Sequence, residues 1–85
     1  MSMQLHLHPL PHARQVEISY CLYKDAGVEL TVYDGWGKKV DILFKAHRHK
    51  GQHKHTWTLD RLASGLYFVR LHSPGRQLVT KVLLQ

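Results

Sequence analysis

The feature that most constrains this chain is a period-two alternation of apolar and polar residues. It restarts along 85 residues, each time after a turn signal. Val16, Ile18, Tyr20 and Leu22 form one such face. Val28, Leu30 and Val32 form the next, followed by Val40, Ile42 and Phe44. His53, His55, Trp57 and Leu59 share a side, as do Tyr67, Val69 and Leu71, and a last run extends from Gln77 to Leu84. Met3, Leu5 and Leu7 alternate in the same way, until Pro9 and Pro11 stop the run or confine it to a sheet edge. Successive side chains of a strand point to opposite faces, so each run offers one side to a core. Lys24-Asp25-Ala26-Gly27, Asp34-Gly35-Trp36-Gly37 and Ser73-Pro74-Gly75-Arg76 are turn formers, the second with two glycines available for positive φ. Lys45 to His55 reads as a polar loop broken by Gly51, and Asp60 to Gly65 as a connection.

About seven short strands with turns between them predict an all-β, antiparallel sandwich or barrel, one domain across residues 1–85. No strand–helix–strand pattern is present, which excludes the parallel-sheet nucleotide folds. A chain this short buries only about 60–65% of the surface its unfolded state exposes, so a deep catalytic cleft is not expected. Cys21 is the one cysteine, which excludes an internal disulfide and an all-cysteine metal site. No apolar run approaches the ~20 residues of a membrane-spanning helix. Met1 to Pro11 lacks a basic segment followed by an apolar one, so no signal peptide is expected there.

Enzyme signatures are missing. Gly35 and Gly37 lie in a turn and do not open a helix, and there is no phosphate-binding loop. Asp34, Asp41 and Asp60 read as turn or strand-end residues, and Ser64 lacks the nucleophile-elbow pattern. The expectation is a protein that is not an enzyme and uses no cofactor.

Histidine stands out, with eight copies, six of them in His-x-His pairs: His6 and His8, His47 and His49, His53 and His55. On a strand, i and i+2 project from one face about 6.5–7 Å apart, a spacing that suits two ligands of a zinc or copper ion. No Cys, Asp or Glu lies between His47 and His55, and Arg48, Lys50 and Lys54 are interleaved, with Lys45 just before. Those cations repel a dication. A dedicated metal site is therefore not expected, and His47, His49, His53 and His55 are candidates for adventitious binding only. The same stretch forms a positive rim in a chain of net charge +6. It becomes more positive below about pH 6.5, where histidines gain protons. Nucleic acid is disfavoured because Trp57 is the one aromatic nearby to stack a base.

Several segments together resemble a known module. Val32-Tyr33-Asp34-Gly35-Trp36-Gly37-Lys38-Lys39-Val40 is similar to its strand–turn–strand. Gly51-Gln52-His53-Lys54-His55-Thr56-Trp57 is similar to its Gly-x-His-x-x-x-Trp strand. Leu62-Ala63-Ser64-Gly65-Leu66-Tyr67-Phe68-Val69-Arg70-Leu71 closely resembles its most recognisable run, and Thr80-Lys81-Val82-Leu83-Leu84 its closing strand. Pro9-Leu10-Pro11 stands where the module carries Pro-Asn-Pro, with Leu10 in place of the usual Asn. On these residues the chain resembles the C-terminal sorting domain of proteins exported by the type IX (Por) secretion system of Bacteroidota, a domain related to the immunoglobulin-like domain of the flagellar hook-capping protein.

The resemblance implies an immunoglobulin-like β-sandwich at the C-terminus of a larger secreted parent. It would pass through the periplasm, be read by the outer-membrane secretion translocon and be released at the cell surface by a sortase-like peptidase. Physically, Gly65 suits a positive φ or a close backbone approach, Tyr67 a buried ring with a bonded hydroxyl, and Trp57 a place between the sheets. The exposed residues of the final strand, Lys81, Val82, Leu83, Leu84 and Gln85, are the candidates for contact with the translocon, with Leu83 and Leu84 also expected to supply core area. The alternative is an accessory immunoglobulin-like module that packs on an enzyme or binds an anionic glycan.

Overall fold

The computed structural model describes residues 3–10, 13–60 and 62–85. Pro11, the last residue of the Pro-Leu-Pro motif, and Arg61, within the Asp60–Gly65 connection, lie outside the described residues. Seven strands follow one another: β1 Gln4–Leu10, β2 Gln15–Leu22, β3 Ala26–Asp34, β4 Lys39–Arg48, β5 Gly51–Thr58, β6 Gly65–Ser73 and β7 Arg76–Leu84. All pairings are antiparallel. One sheet has the order β1-β2-β5 and the other β4-β3-β6-β7. The chain crosses between the sheets at β2–β3, β4–β5 and β5–β6, the interleaving of an immunoglobulin-like sandwich.

The two sheets close on one core. Val16, Ile18, Tyr20 and Leu22 of β2 face Val28, Leu30 and Val32 of β3 and Tyr67, Val69 and Leu71 of β6. Trp57 of β5, Met3, Leu5 of β1, and Val82 and Leu84 of β7 complete it. Each fully buried aliphatic side chain contributes about 1.5–3 kcal/mol. β1 occupies an edge, which is where a strand containing Pro9 belongs, because proline has no N–H to give to a second neighbour.

Local chemistry sets the turns. Asp34 Oδ1 accepts the backbone N–H groups of Trp36 and Lys38, both at 2.9 Å. Gly37, with φ of 83°, supplies the left-handed residue that returns the chain to β4. Of the two glycines available here, Gly37 is the one at positive φ.

Three expectations are corrected. Val40, Ile42 and Phe44 do not share a core face. The β3–β4 register shifts between Leu30 and Thr31 and again between Val32 and Tyr33, leaving Leu43 and Val40 unpaired. Each bulge inverts the strand's phase, so Ile42 sits opposite outward-facing Thr31, while Leu43 and Phe44 pack on the core. Lys45 to His55 is not a loop: β4 continues to Arg48 and β5 begins at Gly51. Leu83 is not core; it is 58% exposed, because Val82 and Leu84 on either side point inward.

Candidate functional site

The outward faces of the two sheets differ in chemistry. On the three-stranded sheet the outward positions of β1, β2 and β5 are mostly polar, among them Gln4, His6, Glu17, Ser19, Gln52 and Lys54, with Leu10 and Cys21 half-buried beside them. Among the described residues, every large hydrophobic side chain left exposed belongs to the four-stranded sheet or its β3–β4 turn: Trp36, Val40, Ile42, Leu66, Val79 and Leu83. Phe68 and Tyr33, cross-strand neighbours on the same outward side, are half-buried. An apolar face of this kind on a small protein marks a partner surface.

At its centre the face is tied together by a polar group. Arg70 of β6 lies 3.8 Å from the Glu29 carboxylate, and its guanidinium sits 5.6 Å from the centre of the Tyr33 ring. Thr31 Oγ1 donates to Glu29 Oε1 at 3.0 Å. That hydrogen bond, then the nearby charges of Lys39, Lys45 and Arg70, holds the Glu29 carboxyl below its ordinary value. β7 borders the face as an edge strand, with Lys81 opposite Phe68 and Leu83 opposite Leu66.

The terminal residues named from sequence therefore divide. Lys81, Leu83 and Gln85 are exposed, whereas Val82 and Leu84 are each 7% exposed and belong to the core. The outward members on β6, Leu66 and Phe68, were not singled out by the alternation. Their signal is that Leu66-Tyr67-Phe68-Val69, like Val82-Leu83-Leu84, is an unbroken apolar run, which means apolar side chains on both faces.

At the end of β7 a cleft of about 420 Å³ opens between Leu84, Gln85, Leu62, Leu59, Pro9 and Arg14. Arg14 has a φ of 51°, accepts the Leu59 N–H at 2.9 Å and donates from Nη2 to the Leu59 carbonyl at 3.2 Å. The neighbouring connection is closed by Tyr67, whose hydroxyl donates to the Ala63 carbonyl at 2.8 Å. This is the tyrosine corner of immunoglobulin-like sandwiches. Trp57 is buried against the same ring, edge-on with centroids 6.3 Å apart.

The histidine pairs are divided between the sheets. His47 is on the edge strand β4 and His49 just past its end, their rings edge-on at 6.3 Å. His49 Nδ1 is 3.6 Å from Asp25, whose carboxyl is held low chiefly by the Lys50 backbone N–H. His53 and His55 of β5 point inward. His53 stacks on Tyr20 at 5.1 Å, with Nε2 at 2.7 Å from the His49 carbonyl oxygen, and His55 lies 5.2 Å from Phe44. Burial, then the Arg48 charge, pushes the His55 pKa down. No group of three or more His, Cys, Asp or Glu among the described residues is placed to hold a metal ion. No described helix is long and apolar enough to cross a membrane.

No curated protein matches the chain at a significant level. The family model described as the secretion system C-terminal sorting domain matches residues 6–85, a span that takes in the tyrosine corner, the outward apolar face and the terminal strand. Sorting domains of this kind are in general non-catalytic, and they mark secreted or cell-surface proteins for type IX secretion. With nearly its whole length matched, the chain belongs to the family of secretion system C-terminal sorting domains.

Proposed function

We propose that the secretion translocon reads this domain as a folded surface, through the terminal strand β7 and the outward face that β7 shares with β6. The contact residues are Lys81, Leu83 and Gln85, with Leu66 and Phe68 beside them. Val82 and Leu84 act from inside by holding the strand in place. In this reading the domain is the C-terminal part of a larger secreted parent, crosses the periplasm attached to it and is removed at the cell surface by a sortase-like peptidase.

One observation carries the reading. The outward side of β7 exposes Val79, Lys81 and Leu83 in a row, and the strand pairs with β6 alone in its sheet. An edge strand with apolar side chains on its open face suits recognition by strand addition or by face packing. β1 of the other sheet lies against β7, and at one pole Ser73 Oγ, at the end of β6, donates to Sδ of Met3, just before β1, at 3.8 Å. At the other end of β7, Pro9 of β1 lines the cleft beside Leu83 and Leu84.

The test is a fusion of this domain behind a periplasmic reporter in a host that has the secretion system. The reporter is expected at the cell surface or in the medium. Lys81→Ala is expected to weaken export with a nearly unchanged melting curve, since an exposed charged head contributes within about 0.5 kcal/mol. A folded, unmutated fusion retained in the periplasm would overturn the reading in favour of an accessory module. Export unaffected by both Lys81→Ala and Leu83→Asp would leave sorting standing and remove β7 from recognition.

A further inference from the structure

The positive charge of the molecule is concentrated on one lateral edge. Residues 38–54 hold six of the twelve Lys and Arg, against one acid, Asp41, which accounts for +5 of the net +6. The structure converts this segment into two adjoining edge strands, β4 at the border of one sheet and β5 at the border of the other. Lys45 and His47 are exposed along β4, His49 and Lys50 stand exposed at the turn, and Gln52 and Lys54 are exposed along β5. Lys54 reaches Glu17 at 3.4 Å, and Asp25 is engaged by the Lys50 backbone N–H and by His49. The Lys45 and Lys50 ammonium groups and the Arg48 guanidinium have no ion pair within 4 Å among the described residues.

We infer that this edge is a docking surface for an anionic polysaccharide, one bearing carboxylate, sulfate or phosphate groups. From Lys45 to Arg48 the strand rises about 10 Å, and the turn at Lys50 and the start of β5 extend the charged edge beyond it, so several charges of an extended polymer can be met at once. Charge complementarity selects a polyanion. Two other polyanions fit less well. The edge has no exposed aromatic side chain on which a nucleic-acid base would stack; the exposed Trp36 lies beyond the far end of β4. It has no exposed apolar side chain at the Lys45–Lys50 end to enter a lipid surface, since Val40 and Ile42 are at the other end of the strand. A domain of secreted or cell-surface proteins meets polysaccharide where it works. The surface is separate from the β7 face, so the inference stands whether or not the translocon reads β7.

The experiment uses the 85-residue chain and size-defined heparin as the probe, by calorimetry and by elution from a heparin column. Binding is expected at about 50 mM NaCl, with affinity falling at least tenfold by about 150 mM, as release of counterions from four or more contacts requires. Lys45→Gln with Lys50→Gln is expected to reduce affinity at least fivefold at unchanged melting temperature. Arg76→Gln with Lys81→Gln removes the same charge from β7, at the opposite edge of that sheet, and is expected to change it less than twofold. Equal losses in the two double variants would mean attraction to net charge alone and would overturn the site. No binding to heparin at low salt would also overturn it. Tighter binding to a single-stranded oligonucleotide than to heparin at equal salt would overturn the assignment to polysaccharide. Reporter export by the Lys45→Gln/Lys50→Gln domain is expected unchanged, which separates this surface from the sorting face.

Discussion

The Tyr67 hydroxyl donates to the Ala63 carbonyl at 2.8 Å, four residues back along the chain. This bond ties the connection after β5 to the first turn of side chains on β6, at the pole of the sandwich where β7 ends. It joins the fold to the proposed site, because the register of Gly65 against Leu84 is set at the same place. Tyr67→Phe keeps the buried ring and removes only the bond. The expected loss is about 1 kcal/mol in urea denaturation with an unchanged slope. An unchanged midpoint would show that the corner does not contribute to stability.

Gly65 has a φ of 146°, and a Cβ built there meets nothing within 4 Å. The cost of a side chain is therefore backbone strain and not a clash. Gly65→Ala and Gly65→Val are both expected to destabilise by about 1–3 kcal/mol, and by similar amounts. A tolerated alanine with a damaging valine would point instead to crowding.

Leu83 and Leu84 are adjacent in sequence and opposite in role. Leu84 is 7% exposed, and Leu84→Ala is expected to cost about 2–5 kcal/mol. Leu83→Ala is expected to stay within about 0.5 kcal/mol. Denaturation midpoints of the two variants, measured side by side, check this. Export of Leu83→Ala then reads the surface without the complication of unfolding.

Acid is expected to weaken the fold in two stages. Burial and Arg48 hold His55 below 6.5, so the unfolded chain takes up that proton at a higher pH than the folded one. Its contribution is complete above about pH 6.5 and is lost as pH falls through the lowered folded value. Asp25 and Glu29, held below their ordinary values, contribute above the carboxylate range and lose that contribution as pH falls further. The urea midpoint should therefore drop between pH 7.5 and 5.5, and His55→Gln should reduce the drop. A wild-type midpoint that does not fall over this interval would contradict the placement of His55 between the sheets.

Zinc is expected to stabilise little. A designed site would add about 2.7 kcal/mol at 100 times Kd, readily seen as a rise in melting temperature. Because His53 and His55 face the interior, His47 lies on the other sheet and His49 in the turn after it, a one-to-one titration at pH 7 is not expected. Tight stoichiometric binding abolished by His53→Ala would overturn that arrangement.

The strands β2, β3 and β6 were legible from alternation alone, because each has one face buried by neighbours on its own sheet and across the core, and period two then decides the register. The corner residues Gly65 and Tyr67 and the buried Trp57 were legible too, since each carries a chemistry that few positions of a sandwich need. β4 was not. Its two bulges depend on how an edge strand wraps the twisted sheet, a property of its partners and not of its own residues, and they invert the faces of Val40 and Ile42. The Lys45–His55 stretch looked like a loop because its side chains are polar. Only pairing with β3 and β2, formed at long range, supplies the backbone hydrogen bonds that make it two strands. Alternation likewise assigned Lys81 to the outside, but which terminal leucine faces solvent, and that Leu66 and Phe68 lie beside it, follows from the β6–β7 register. Residue chemistry determined the class of fold, and the assembly of the sheets decided which side chains remain outside to meet a partner.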